Sequence, residues 1–133
     1  MLNTDIVSDR TAKIQLAAAL QEKQRRISEN KLLHYKPYKK QMKFHELGST
    51  IRERLFMAGN QLGKTIAGAA EMAMHLTGLY PDWWQGRRYK RPVVAWASGI
   101  TGETVRDTVQ RLLVGRTGEY GTGFIPKHCI IGD

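Results

Sequence analysis

The segment Ala58-Gly-Asn-Gln-Leu-Gly-Lys-Thr65 carries the chemistry that residue type and spacing define best. It fits G-x-x-x-x-G-K-[ST] with Ala58 in the first position, a loop whose backbone N–H groups converge on phosphate oxygens. In such a loop Lys64 reaches the terminal phosphates as a point charge, and the Thr65 hydroxyl is offered to Mg²⁺. Gly59, Asn60, Gln61 and Leu62 supply the backbone of the cradle, and Gly63 permits the close approach. A helix starting behind the loop adds partial positive charge. Ala58 departs from the glycine of the pattern and requires negative φ, so Gly59 is the neighbour expected to take the unusual torsion.

Such a loop must be delivered by a strand and continued by a helix. Leu55-Phe-Met-Ala58 is a short apolar run that reads as a buried parallel strand. After Gly63 a helix is expected with Ile66, Ala69, Ala70, Ala73 and Thr77 on one face, ending at Gly78. Val93-Val-Ala-Trp-Ala97 reads as a second strand, and a second helix follows with Val105, Val109, Leu112 and Leu113 as its stripe. Asp107 and Arg111 in that helix have i,i+4 spacing for an ion pair. A glycine-rich loop covers 115–123, and Cys129-Ile-Ile131 reads as the start of a third strand. Alternating strands and helices imply an α/β fold with a partial, right-handed wound parallel sheet. Upstream, residues 9–31 read as a solvent-facing helix, and a short helix is expected from about Lys40 to Leu47 after Pro37. The organisation is therefore an N-terminal helical arm over 1–33 and an α/β unit over 34–133.

The chain has 133 residues, with 21 Lys+Arg against 12 Asp+Glu and a net charge of +9. A folded chain of this mass exposes about 7,000 Å², against about 22,000 Å² unfolded, which supports one core. A composition of 41% hydrophobic and 25% charged residues excludes a low-complexity class. No uncharged apolar stretch has membrane-spanning length, and the acidic N-terminus does not read as a signal peptide. Cys129 is alone and cannot form an internal disulfide. The four histidines show no metal-ligand spacing. The positive charge permits a polyanionic partner through long-range attraction and counterion release, as well as a merely solvated basic surface.

The order of motifs resembles the ATPase part of bacteriophage large terminase subunits, motors that package and cut viral DNA. The resemblance is carried by Tyr35-Lys-Pro-Tyr-Lys-Lys-Gln-Met-Lys-Phe-His45, Gly59-Asn-Gln-Leu-Gly-Lys-Thr65, Tyr80-Pro-Asp-Trp-Trp84 and the unit from Val93 to Leu113. It covers about residues 30–131. It implies a P-loop NTPase fold of the helicase-like, RecA-like type, with ATP and Mg²⁺ bound at Ala58–Thr65 and with Lys64 and Thr65 as catalytic residues. It also implies double-stranded viral DNA, a small terminase subunit and a portal protein as partners, a homo-oligomer at full length, and residence in the host bacterial cytoplasm. A glutamine upstream of the loop reads adenine in such ATPases; Gln41 matches its position, with Tyr38 or Phe44 available to stack. Asn60 stands where many terminases carry an arginine, so that arginine's role is not carried over.

Other segments leave two readings open. Residues 82–91 interleave Trp83, Trp84 and Tyr89 with four bases, which suits nucleic-acid contact or a structural loop anchored by tryptophan. Ser98-Gly-Ile-Thr101 suits contact with nucleic acid or a plain helix cap. Hydrolysis in this class needs an acidic pair after an apolar strand, and none follows the loop; Asp133 is the one acid with an apolar run before it. Binding without motor-like turnover is the expectation for this chain, which reads as the N-terminal part of a longer protein. The alternatives are another helicase-like P-loop ATPase and a non-enzymatic basic module that binds DNA or a partner.

Overall fold

The computed structural model describes residues 2–132. Met1 and Asp133 lie outside them, so the reading of Asp133 as an acid of the site falls outside the described residues. The elements in order are α1 (Leu2–Glu29), α2 (Lys31–His34), α3 (Lys39–Leu47), α4 (Lys64–Thr77), α5 (Gly102–Thr104), a π-helical segment (Val105–Gln110), α6 (Arg111–Leu113) and a 3₁₀ turn (Lys127–Cys129). None of these helices is long and apolar enough to cross a membrane.

The parallel sheet expected from the sequence is not formed. Among the described residues no strand is present, and the single β-bridge, Thr122 to Pro126, is isolated. The runs 55–58 and 93–97 do not pair with each other. Leu55 is 83% exposed, Met57 79%, and Val94 and Trp96 91% each. A parallel strand is stable only with ladder partners and with both faces covered. Neither condition is met, so two runs with strand-like composition stay unpaired. Ile131, in the third expected strand, is fully exposed.

The core forms instead around α4. Its buried residues are Ala67, Ala69, Ala70, Glu71, Ala73 and Met74. Ile66, assigned to the inward face by periodicity, is 42% exposed, so the buried face is rotated toward Ala67, Ala70 and Met74. Small side chains let Leu32, Tyr35, Trp84, Leu113 and Phe124 close over the helix. Both ends of α4 are capped by glycine in the left-handed region, Gly63 at φ 69° and Gly78 at φ 72°, where a Cβ is disfavoured.

Two local departures have physical causes. The expected Asp107–Arg111 pair does not form, and Asp107 instead accepts from Arg106 at 2.9 Å. The π-helical segment shifts the residues that eclipse one another from i,i+4 toward i,i+5, and Arg111 acts on Asp107 only through its charge, without an ion-pair contact. At the end of α6, the 114–126 loop folds back so that Phe124 N donates to Leu112 O at 2.7 Å and Ile125 N to Leu113 O at 2.8 Å. These bonds satisfy carbonyls a helix end leaves open. A Cβ on Gly123 would come within 2.3 Å of Leu113 O, so only glycine fits that return.

α1 is the solvent-facing helix the sequence suggests, and it begins earlier, at Leu2. Ile14, Leu16 and Leu20 are exposed. Its surface carries ion pairs within the helix, Arg25 with Glu22 and Glu29 at 2.8 Å and Arg26 with Glu22 at 2.8 Å.

Candidate functional site

Three groups converge on the 58–65 loop. Gln61 takes φ 59° and Gly63 φ 69°, while Gly59, the expected carrier of the unusual torsion, is not in the left-handed region. Lys64 donates from Nζ to Ala58 O at 2.5 Å and to Gly59 O at 2.8 Å, so its ammonium closes the loop on itself. Tyr38 donates from its hydroxyl to Leu62 O at 2.5 Å. Gln41 is 4% exposed and uses both ends of its amide: Oε1 accepts from Tyr38 N at 3.1 Å and Nε2 donates to Gly63 O at 3.0 Å. Sequence-predicted residues 38, 41 and 58–65 are thus brought together. Phe44 is not free to stack on a ligand. It lies against Phe56 at 4.8 Å on one side, and Arg54 sits over its ring at 4.4 Å.

The loop opens onto a cleft of about 830 Å³. One wall is Gln61–Ile66; the other carries Lys31, Asp107, Arg111, Arg116 and Glu119. Arg111 and Arg116 engage in no ion pair among the described residues. Sequence spacing gave no sign of this second wall, because it depends on how α6 and the loop after it pack against α4. The Thr65 hydroxyl, exposed at the second residue of α4, makes no hydrogen bond among the described residues. A hydroxyl oxygen of this kind is a ligand type that a hard cation takes, whereas the Lys64 ammonium can meet only anions and carbonyls. No grouping of His, Cys, Asp and Glu among the described residues could hold a metal by itself.

Behind the loop helix lies a buried polar network the sequence reading passed over. Glu71, 6% exposed, accepts from His45 Nδ1 at 2.8 Å, pairs with Arg54, and lies 3.5 Å from His75 Nε2. Burial acts to raise the Glu71 pKa, and hydrogen bonds from His45, His75 and Arg54 outweigh it, holding the carboxyl well below the ordinary carboxylate range. His45 Nε2 meets the Tyr35 hydroxyl at 3.1 Å, and burial raises the Tyr35 phenol above its ordinary value. Arg54 also donates to Phe44 O at 2.5 Å, tying the segment before the loop to α3. The i,i+4 spacing of Glu71 and His75 was visible in the sequence; the distant partners were not.

Trp84 is 4% exposed and donates from Nε1 to Arg87 O at 3.1 Å, and Trp83 packs against the core. Both therefore anchor the 82–91 loop. Ser98–Thr101 is exposed, with Thr101 capping α5 by accepting from Thr104 N at 3.1 Å.

The 58–65 loop thus leads into α4 and faces a wall that carries Lys31, Arg111 and Arg116 across the cleft, and comparison with known proteins gives the family. The family model for the N-terminal part of the large terminase subunit of T4-like viruses matches residues 55–132, and the chain belongs to that family. It is 44% identical to the terminase large subunit of Salmonella phage P22, over 89% of this chain and 27% of that protein. The chain thus spans about a quarter of the length of the curated relative it matches. No solved structure matches it.

Proposed function

We propose that Ala58–Thr65 binds a nucleoside triphosphate with Mg²⁺ and that the chain is the nucleotide-binding part of a DNA-packaging motor. The observation carrying this reading is the arrangement of Lys64 on the loop carbonyls, with Thr65 free beside it and the cleft open in front. A ligand's phosphates compete with Ala58 O and Gly59 O for the Lys64 ammonium, which turns from those carbonyls to donate to the phosphate oxygens. Mg²⁺ in such a site neutralises charge on the terminal phosphates, and Thr65 is the residue to hold it. Gln41 and Tyr38 fix the loop's far side, and Gln41, whose Nε2 keeps one further N–H, is the residue proposed to meet adenine. The relative's printed name, terminase large subunit, supports the packaging role, with duplex DNA, a small subunit and a portal protein as proposed partners, a homo-oligomeric full-length motor, and the host cytoplasm as its place of action.

For this chain the proposed activity is binding. Asp107 in the cleft is already committed to Arg106 at 2.9 Å, and its exposure leaves electrostatic stabilisation screened by water. Calorimetric titration with MgATP tests the reading. Removing a charge-assisted contact costs about 1.5–3 kcal/mol, so Lys64→Ala is expected to weaken binding by about ten- to a hundredfold. Equal affinity in both proteins would overturn the assignment.

A further inference from the structure

The cleft in front of the 58–65 loop sets the two ends of the proposed site apart. Lys64 and Thr65 line it, and Tyr38 and Gln41 do not; those two meet the loop through Leu62 O and Gly63 O instead. The residues proposed for phosphate and Mg²⁺ thus face the cleft, and the residue proposed for the base stands outside it. Arg111 and Arg116 line the opposite wall, with Lys31. That wall is fixed to the same core as the loop helix, since Leu113, in α6 with Arg111, is buried in one cluster with Ala70 and Met74. The turn that presents Arg116 is closed on itself. Gly115 takes φ 107°, where a Cβ would lie 2.5 Å from Glu119 O and from Thr122 Oγ1. Gly121 N donates to Val114 O at 2.7 Å, and Glu119 N to Arg116 O at 2.9 Å. Both arginine side chains are exposed and make no ion pair among the described residues. Of the two acids on the wall, Asp107 already accepts from Arg106 at 2.9 Å, which leaves Glu119 against the cations.

We infer that Arg111 and Arg116 bind the terminal phosphate of the nucleotide from across the cleft, and that they make the site select a triphosphate over a diphosphate. Given a nucleotide on the 58–65 loop, the reading on which this rests, the loop amides and Lys64 hold the phosphate chain from one side only. The far oxygens of the terminal phosphate then face the opposite wall. A guanidinium presents a planar fork that meets phosphate oxygens in pairs, and it is more weakly hydrated than an ammonium, so it leaves water at smaller cost. Side chains carried on a wall already fixed to the core add little ordering cost from the backbone. The cleft, at about 830 Å³, lies within the range of about 300–1,000 Å³ that small-molecule sites occupy. A diphosphate lacks the group that reaches farthest from the loop, so it leaves both arginines unmatched.

The test is calorimetric titration of the purified chain with MgATP, MgADP and magnesium tripolyphosphate. Wild type is expected to bind MgATP more tightly than MgADP. The double variant Arg111→Gln, Arg116→Gln is expected to weaken MgATP by about ten- to a hundredfold, the loss that goes with charge-assisted contacts. Its affinity for MgADP should stay within about threefold of wild type. Tripolyphosphate should weaken in parallel with MgATP, since the base takes no part. The charge-matched variant Arg87→Gln, Arg91→Gln, at residues outside the cleft, is expected to keep the wild-type ratio of the two affinities. Circular dichroism checks that both variants are folded. An equal loss for MgATP and MgADP in the Arg111 and Arg116 variant, or no loss for either, overturns the inference and leaves the loop assignment standing. A loss of the same size in the Arg87 and Arg91 variant traces the effect to net charge and overturns it as well. Affinity that Lys64→Ala leaves unaltered, or no binding by wild type, removes the loop assignment and this inference together.

Discussion

Glu71 stays ionised at 6% exposure because His45, Arg54 and His75 converge on its two oxygens. Removing one partner of such a group leaves the others buried and uncompensated, at a cost of about 3–5 kcal/mol, so Glu71→Ala is expected to be among the most damaging single changes. The pH dependence has a definite sign. The folded-state pKa lies below the ordinary 4.5, so the native chain holds its carboxylate where the unfolded chain would take up a proton. This contribution is complete above the unfolded value and is lost as pH falls below it toward the folded one. Urea unfolding at pH steps from about 6 down to about 3 should therefore show wild type losing stability faster than Glu71→Gln, which has no proton to gain. Parallel profiles would remove Glu71 from the account of acid stability.

Helix ends and close approaches decide how the elements meet, and glycine is where they are most exposed to test. At Gly78 a Cβ would meet nothing within 4 Å, so Gly78→Ala bears only the left-handed torsion, about 1–2 kcal/mol. At Gly86 a Cβ would strike the Trp84 ring and a backbone carbonyl. The overpacking costs about 1–3 kcal/mol and displaces the tryptophan anchor. Thermal unfolding should rank Gly86→Ala below Gly78→Ala, and the reverse order would mean that the 82–91 loop is not seated on α3 and Trp84. The same elements show what sequence makes readable. α3 and α4 were placed to within a residue, because Pro37, Gly63 and Gly78 are local signals acting on their immediate neighbours. The 58–65 loop is legible from type and spacing and Gln41 only through the family resemblance; the structure joins them where Gln41 Nε2 donates to Gly63 O. The π-helical turn at 105–110 and the buried ring of partners around Glu71 had no such signal. One depends on how α6 meets the returning loop, the other on three elements distant in sequence.

The chain as a whole exposes 10,728 Å², well above the about 7,000 Å² expected of a compact domain of its mass. The excess lies in part in α1, which carries its polar surface through ion pairs, and in part in the apolar runs 55–58 and 93–97. Those runs led composition toward a sheet, since Val, Trp and Leu in short blocks favour strands wherever neighbours exist to cover them. Composition records that preference; it does not supply the neighbour. The folded state here is accordingly supported by the α4 core, and the two runs contribute little to it. Val94→Lys and Trp96→Lys, at residues 91% exposed, should each change stability by no more than about 0.5 kcal/mol. Met74→Ala, at a residue with no exposure, should cost about 2–5 kcal/mol. An exposed apolar run with unpaired backbone is also a template for association between chains, so the lysine variants should remain monodisperse at concentrations where wild type associates. Urea midpoints and light scattering on the three variants measure both effects. A loss of several kcal/mol at Trp96 would show that the run is covered in solution and that the stability of this chain does not rest on α4 alone.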